Sequence, residues 1–142
     1  MNPHAIEREV EADGTVILRA GPGIFRYRHV RPGALFIRVE GDDNGQFGTG
    51  LLDEIASVLA RERPLEIFVD ASAGSMPGMA VNRQWARFLS DHQRDIRRVH
   101  ILVGSRTAEL GLAVVRRLSS AGKLIRIYTH RDAFEAQQQR AG

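Results

Sequence analysis

The chain has 142 residues, no cysteine, and 20 basic against 17 acidic residues, for a formal net charge of +3. This length supports one domain with a substantial core, and the lack of cysteine excludes disulfides, thiolate catalysis and cysteine-ligated metal centres. Basic and acidic residues are interspersed, so nucleic-acid binding is not expected. No segment has the ~20 apolar residues of a membrane span, and the first residues do not form a signal peptide, so we expect a cytoplasmic protein.

The first segment, residues 5–20, has the pattern of a β-hairpin. Apolar and charged residues alternate from Ile6 to Val10, and Asp13-Gly14 is a strong turn dipeptide. The same alternation returns at Ile24 to Val30 and at Ala34 to Glu40. Strands with one polar face are typical of antiparallel pairing, so an antiparallel N-terminal region is predicted.

A helix is predicted over Leu51 to Arg63, with Thr49 as its N-cap and Pro64 as its stop. The segment that follows, Leu65 to Asp70, contains the consecutive apolar residues Ile67-Phe68-Val69. Such a run has no polar face, so it predicts a strand buried on both sides in the middle of a parallel sheet.

The second half of the chain alternates predicted helices and strands. A loop of small residues over 71–78 leads into a second helix ending near Arg94–Ile96, with Ile96 on its apolar face. The remaining elements are a strand over Arg98 to Val103, a helix opened by Gly104–Thr107 and closed by Gly122, a strand over Leu124 to Tyr128, and a short helix with Thr129 as N-cap and Phe134 as anchor.

This order predicts one α/β domain with a mixed sheet. Residues 1–33 supply antiparallel N-terminal strands, and residues 34–136 supply a parallel β-α-β-α-β-α part with right-handed crossovers. The helices are expected on one side of the sheet or divided between its two sides. Residues 137–142 are predicted to be a frayed tail.

Two stretches resemble a known family. The order of Val39-Glu40-Gly41-Asp42, a helix, Ile67-Phe68-Val69-Asp70 and a small-residue loop entering a helix resembles the STAS domain of anti-sigma-factor antagonists. The stretch from Leu124 to Phe134 is similar to the end of the related STAS/SEC14-like bacterial proteins. The resemblance implies a STAS-like fold and a regulatory or binding role.

One departure from the family pattern concerns its phosphorylation switch. Antagonist STAS domains carry Asp-Ser-Ser-Gly or a similar sequence at the start of the second helix, where a partner kinase phosphorylates a serine. Counting from Asp70, that place is held here by Gly78-Met79-Ala80-Val81, which has no hydroxyl. The departure argues against a switch controlled by a kinase.

Ligand-binding candidates follow from the expected convergence of strand ends, because open α/β folds bind ligands at the carboxyl ends of their parallel strands. Arg106 at the start of a helix could clamp an anion, although serine and threonine there are also ordinary N-caps. Asp70 could act as a general base or accept backbone N–H groups of the following loop. The candidates are Asp70, Ser72, Ser75, Ser105, Arg106, Thr107 and His130.

Other chemistries receive little support from the residue pattern. His130 with Asp70 and Ser72 would form an acid–base trio only if the three side chains met, and no nucleophile-elbow motif is present. The five histidines lack metal-ligand spacing, and the glycine-rich loops match no nucleotide-binding motif. No cofactor is expected. His100 lies inside a strand and is expected to be a partnered polar member of it.

Partner-binding candidates lie in and after the loop that follows the central strand. Met76 and Met79 flank Pro77 and Gly78, and could form an adaptable apolar surface or a cap over the sheet. The exposed face of the second helix adds Arg83, Arg87 and Asp91. These residues favour a non-enzymatic domain that binds another protein or a second copy of itself, the latter also through the N-terminal edge strands. The alternative is a module that binds a small anionic or lipid-like ligand at the strand ends.

Overall fold

The computed structural model describes residues 6–42, 45–74 and 79–140. Within these residues the chain forms seven strands, four α-helices and one short 3-10 turn. In chain order they are β1 (Glu7–Val10), β2 (Val16–Ala20), β3 (Gly23–Arg31), β4 (Ala34–Gly41), α1 (Gly50–Arg61), β5 (Leu65–Gly74), α2 (Met79–Asp91), β6 (Ile96–Leu102), α3 (Arg106–Leu118), the 3-10 turn (Gly122–Leu124), β7 (Ile125–Tyr128) and α4 (Arg131–Gln139).

All strands of the described residues form one sheet whose spatial order follows the chain, from β1 at one edge to β7 at the other. Strands β1 to β4 pair antiparallel through short turns. Strands β4 to β7 pair parallel, because a helix returns the chain to the same end of the sheet before each new strand. The predicted mixed α/β sheet is confirmed.

Strand β5 lies between β4 and β6 and is buried on both faces. Ile67 and Phe68 are fully buried, and Val69 is 7% exposed. Side chains alternate along a strand, so Ile67 and Val69 point to one layer and Phe68 points to the other. The prediction of a central, doubly covered strand from this apolar run is therefore confirmed.

The helices are divided between the two faces of the sheet. Helices α1, α2 and α3 pack on the face that carries Ile67, where they form the main core. Helix α4 covers the opposite face, where Phe134 packs with Phe68, Leu102 and Ala34 in a smaller core. The two cores reflect the two faces of the alternating strands, since even-numbered residues of β5 face α4 and odd-numbered residues face the other helices.

Glu54 on α1 attaches the N-terminal strands to the helix layer. Its carboxylate accepts a hydrogen bond of 2.9 Å from Nε of Arg8 on β1, and one from the hydroxyl of Tyr27 on β3. These contacts join β1 and β3 to α1. None of the helices formed by the described residues has the length and apolar character that a bilayer span requires.

Two predicted helix ends are wrong. Ile96 begins β6, where it pairs with Leu65 of β5, because α2 ends at Asp91 and the chain turns before entering the sheet. Helix α3 ends at Leu118, and Gly122 begins the 3-10 turn instead of closing the helix. A Cβ on Gly122 would collide with the backbone carbonyl of Arg116, so this glycine allows a close approach of two backbone segments.

Two predicted N-caps also differ. Thr49 holds the N-cap position of α1, but its hydroxyl donates to Asp53 Oδ2 at 2.9 Å and caps no backbone N–H. Helix α4 begins at Arg131 with His130 in the N-cap position, so Thr129 lies one residue too early. Because α4 continues to Gln139, residues 137–139 are helical and do not belong to a tail.

Candidate functional site

The carboxyl ends of β5, β6 and β7 lie at one edge of the sheet, as their parallel pairing requires. Strand β5 continues to Gly74 because β4 is long enough to pair with it, so residues 71–74 are strand and not the predicted loop. The backbone of Gly104, after β6, approaches Ser72 so closely that a Cβ there would lie 2.7 Å from the Ser72 carbonyl oxygen. The turn after β6 therefore packs directly against the end of β5.

Asp70 is the centre of a closed hydrogen-bond network at this edge. It is only 2% exposed. Its Oδ1 accepts hydrogen bonds from the backbone N–H and the hydroxyl of Ser72, at 3.0 and 2.5 Å. Its Oδ2 accepts one from Arg131 at 3.1 Å, and the same guanidinium donates to the Ser72 hydroxyl at 2.9 Å. Every group in this triangle of Asp70, Ser72 and Arg131 has a partner within it.

The electrostatics of Asp70 follow from these contacts. Burial acts to raise the pKa of Asp70, but the hydrogen bonds from Ser72 and Arg131 outweigh it and hold the pKa below its usual value of 3.8. Arg38 adds a weaker ion pair at 3.9 Å. The carboxylate is thus ionised and satisfied at neutral pH. Of the two roles considered for Asp70, these contacts fit that of a structural hydrogen-bond acceptor and not that of a poised general base.

The sequence pattern predicts His130 beside Asp70, but the side chain that contacts Asp70 is that of Arg131. His130 is exposed and makes no hydrogen bond with Asp70 or Ser72 in the described part of the chain. The acid–base trio is therefore not assembled. Whether His130 or Arg131 faces Asp70 depends on the residue at which α4 begins, because a shift of one residue at a helix start turns a side chain by about 100°.

The turn before α3 is a helix cap. The hydroxyl of Ser105 accepts the backbone N–H of Ala108 at 3.1 Å, which is the ordinary N-cap contact. Arg106 and Thr107 are exposed and do not join the triangle around Asp70. Ser75 lies outside the described residues. Of the six ligand candidates that the structure describes, only Asp70 and Ser72 are in direct contact with each other.

A second polar cluster, missed as a site by the sequence analysis, lies under α4. His100 on β6 is 1% exposed. Its Nε2 lies 2.6 Å from Oε2 of Glu66, and its Nδ1 lies 2.8 Å from the Tyr128 hydroxyl. Phe68 stacks on the imidazole at 4.5 Å, and Arg31 reaches the other oxygen of Glu66 at 3.2 Å. The prediction that His100 is a partnered strand residue is confirmed; its cross-strand partners depend on register, which sequence alone does not provide.

This cluster makes stability depend on pH. Burial, the largest influence, lowers the pKa of His100 below 6.5, although Glu66 acts to raise it. The unfolded chain then binds the proton more readily, so the free energy of unfolding should fall as the pH drops from above 6.5 toward the folded-state pKa. Urea unfolding at about pH 7.5, 6.5 and 5.5 measures this.

His100→Gln is the control for this dependence, because it keeps a polar side chain that does not titrate. The variant should be less stable throughout but should lose less stability between about pH 7.5 and 5.5 than the parent. Asp70 contributes in a separate window: its lowered pKa gives stability that is lost only at more acidic pH, below its usual value of 3.8. Equal slopes in the parent and the variant would contradict the assignment to His100.

The partner-binding candidates on α2 form an exposed row. Arg83, Arg87 and Asp91 are spaced by four residues, so they lie on one face of the helix, and all three are exposed. None makes an ion pair with another described residue. Met79 is the first residue of α2, and Met76 lies outside the described residues.

Metal binding has no support among residues 6–42, 45–74 and 79–140, because no three histidine or carboxylate side chains converge there.

These features define a class by architecture: a mixed sheet in chain order, with three crossover helices on one face and a C-terminal helix on the other. No protein-family model and no curated protein matches the sequence. Two solved structures share the architecture. One is an anti-sigma factor antagonist from Mycobacterium paratuberculosis, with a TM-score of 0.55 and 14% identity over 91% of this chain and 97% of that chain.

The other is an uncharacterized DUF3478-family protein with a SpoIIAA-like fold from Shewanella loihica PV-4. It has a TM-score of 0.55 and 13% identity, over 96% of this chain and 94% of that chain. At such low identity the likeness concerns the fold. The chain has a SpoIIAA-like fold, in agreement with the STAS-like fold that the sequence resemblance implied.

Proposed function

We propose that this chain is a regulatory domain that acts by binding another protein and catalyses no reaction. The binding surface, here termed the α2 surface, consists of residues 72–79 with Arg83, Arg87 and Asp91. The observation that carries the proposal is the unpaired row on α2. Two guanidinium groups on one helix face that form no ion pair with another described residue attract carboxylates from elsewhere, so we expect an acidic patch on the partner.

The contacts at the strand ends favour this function over the small-ligand alternative. Asp70, Ser72 and Arg131 already satisfy one another, so a ligand would have to break their hydrogen bonds before gaining its own. Arg106 and His130, the cation and the histidine expected to hold an anionic or lipid-like molecule, are not part of that triangle.

We do not expect partner binding to be controlled by phosphorylation of this chain at the position that is phosphorylated in antagonist STAS domains. Ala80 and Val81 in the first turn of α2 have no hydroxyl, and Gly78 lies outside the described residues. Ser72 is an unsuitable substitute, because its hydroxyl is held between Asp70 and Arg131.

We further propose a cytoplasmic location, which fractionation of cells that express the chain would test.

Reversing charge on the α2 surface should abolish partner capture. The full chain and its Arg83→Glu/Arg87→Glu variant are immobilised and exposed to an extract of the source organism, and captured proteins are quantified by mass spectrometry. A protein that contacts both arginines should bind the variant more weakly by at least about 2 kcal/mol, roughly a thirtyfold loss of affinity. Titration of the purified captured protein measures this loss directly.

The matched control is Arg94→Glu/Arg97→Glu. These two arginines are also exposed, but Arg94 lies in the turn after α2 and Arg97 lies on β6, outside the helix. The control should retain the partner. Identical captured sets for all three baits would contradict the proposal.

Sedimentation velocity tests the related prediction of self-association through the exposed edge strand β1, since a dimer that persists on dilution would identify a second copy as the partner.

A further inference from the structure

Three arginines, Arg98, Arg126 and Arg140, lie at the amino-end edge of the parallel strands. Arg98 on β6 lies two residues before His100, and Arg126 on β7 is the register partner of His100, so both side chains lie on the α4 face. Arg140 directly follows α4. None of the three forms an ion pair with another described residue. Like charges placed diagonally across neighbouring strands repel each other, so this arrangement costs stability.

The surroundings do not account for this positive charge. Glu66 is the register partner of Arg98, but its two carboxylate oxygens are taken by His100 and Arg31. Glu135 on α4 lies instead beside Arg131, at 3.7 Å. The negative end of the α4 dipole explains one nearby cation, but not three.

The charge acts on a hydrogen-bonded pair beneath it. Burial lowers the pKa of His100, and Arg98 and Arg126 lower it further against the opposing effect of Glu66. Burial raises the pKa of Tyr128, while Arg126, Arg98 and Arg140 oppose that rise. Arg98 and Arg126 therefore act on both the imidazole and the phenol, and Arg140 acts on the phenol.

The hydrogen bonds of His100 give this pair two states. The ionised Glu66 can only accept, so His100 donates to it from Nε2–H, and the neutral ring then accepts the Tyr128 hydroxyl hydrogen at Nδ1. When His100 takes up a proton, Nδ1–H must donate to the Tyr128 oxygen. The hydroxyl hydrogen of Tyr128 is then released and can be donated to another acceptor.

We propose that Arg98, Arg126, Arg140 and the Tyr128 hydroxyl form a binding site for a phosphate-type dianion, and that binding is coupled to proton uptake by His100. Guanidinium groups bind such oxyanions through charge and paired N–H donors. The anion stabilises the protonated imidazole, and the protonated imidazole turns the Tyr128 hydroxyl toward the anion. The site lies on the face of the sheet that α4 covers, whereas α2 packs on the other face, so the site does not depend on the α2 surface.

Sulfate is the probe, because it remains a dianion over the relevant pH range. The imidazole signals of the full chain are titrated by NMR in saturating sulfate and in sodium chloride of equal ionic strength. His100 should titrate at higher pH in sulfate than in sodium chloride. Reciprocity then requires sulfate to bind more tightly at acidic pH, and we expect about a tenfold difference.

Three variants separate the site from general charge screening. Arg98→Gln/Arg126→Gln should weaken sulfate binding at least about tenfold and abolish the sulfate-specific change at His100. Arg83→Gln/Arg87→Gln removes the same charge from the α2 surface and should retain both. Tyr128→Phe should still bind sulfate but with less dependence on pH. Thermal unfolding of each variant confirms that it is folded.

Equal effects of sulfate and chloride on His100, or an unchanged sulfate effect in Arg98→Gln/Arg126→Gln, would overturn the proposal.

The source of the phosphate group is tested in parallel with inorganic phosphate and with vesicles of phosphatidylcholine containing phosphatidic acid. Binding of inorganic phosphate that depends on Arg98 and Arg126 identifies a small anion. Vesicle binding with the same dependence identifies a lipid headgroup, and either result supports the site.

Discussion

Replacing Phe68 with alanine should lower the free energy of unfolding by about 3–5 kcal/mol, the range for removing a fully buried aromatic side chain. Phe68 is fully buried, and its ring stacks on His100 at a centroid distance of 4.5 Å. Its edge meets Phe134 of α4 at 6.0 Å. The smaller core under α4 has few members, so the cavity cannot be refilled by neighbours without moving the helix.

Leu110→Ala is the matched control, because Leu110 is 61% exposed on α3. It should change stability by no more than about 0.5 kcal/mol. Urea unfolding followed by circular dichroism measures both variants. Since the cavity lies between α4 and the sheet, hydrogen exchange in α4 should also accelerate in Phe68→Ala more than exchange in α1. A loss below about 1 kcal/mol would mean that α4 does not depend on this ring.

Replacing Gly41 with alanine should destabilise the fold by more than about 3 kcal/mol, for two reasons that add. Gly41 ends β4 with φ of +74°, a conformation that side chains disfavour. A Cβ would also collide with the backbone carbonyl of Pro22, in the turn before β3. A collision with backbone atoms cannot be relieved by a rotamer change, so β3 and β4 would have to separate at this end.

Gly14→Ala isolates the conformational part of that effect. Gly14 has φ of +90°, but no atom would lie within 4 Å of its added Cβ. It should therefore cost only the backbone penalty, about 1–2 kcal/mol. Chemical denaturation of both variants gives the difference, which is the contribution of the close approach between β4 and the turn at Pro22. Equal losses would show that the backbone at Gly41 moves aside without penalty.

The α2 surface and the anion site of Arg98, Arg126 and Arg140 are proposed as two independent binding sites. They lie on opposite faces of the sheet, because α2 packs on the face that carries Ile67 and α4 covers the other face. The variants Arg83→Glu/Arg87→Glu and Arg98→Gln/Arg126→Gln therefore test separate proposals. Failure of one leaves the other unaffected.

Most of the fold could be predicted because its signals are local. Alternation in the N-terminal segments indicated strands with one polar face, and the run Ile67-Phe68-Val69 indicated a strand with none. Errors occurred at boundaries, where tertiary pairing overrides local pattern. Ile96 fits the apolar stripe of α2 as well as it fits a strand, and its pairing with Leu65 decides the outcome.

The candidate site was less predictable. The prediction that Asp70 could accept a backbone N–H agrees with its contact to Ser72, but Ser72 was expected in a loop and lies within β5. Sequence analysis chose His130 in place of Arg131, and it gave His100 a partner without identifying Glu66 or Tyr128. Ser105 is an N-cap, which was the alternative stated for it.

The sequence by itself determined which segments are strands and helices, which faces are apolar and the order in which parallel strands follow one another, because these depend on residues a few positions apart. Only the tertiary structure decided which polar side chains meet. Arg131 and Asp70 are 61 residues apart, and His100 and Glu66 are 34 apart. Such contacts depend on strand register and on where a helix begins, and a change of one residue in either would bring different side chains together.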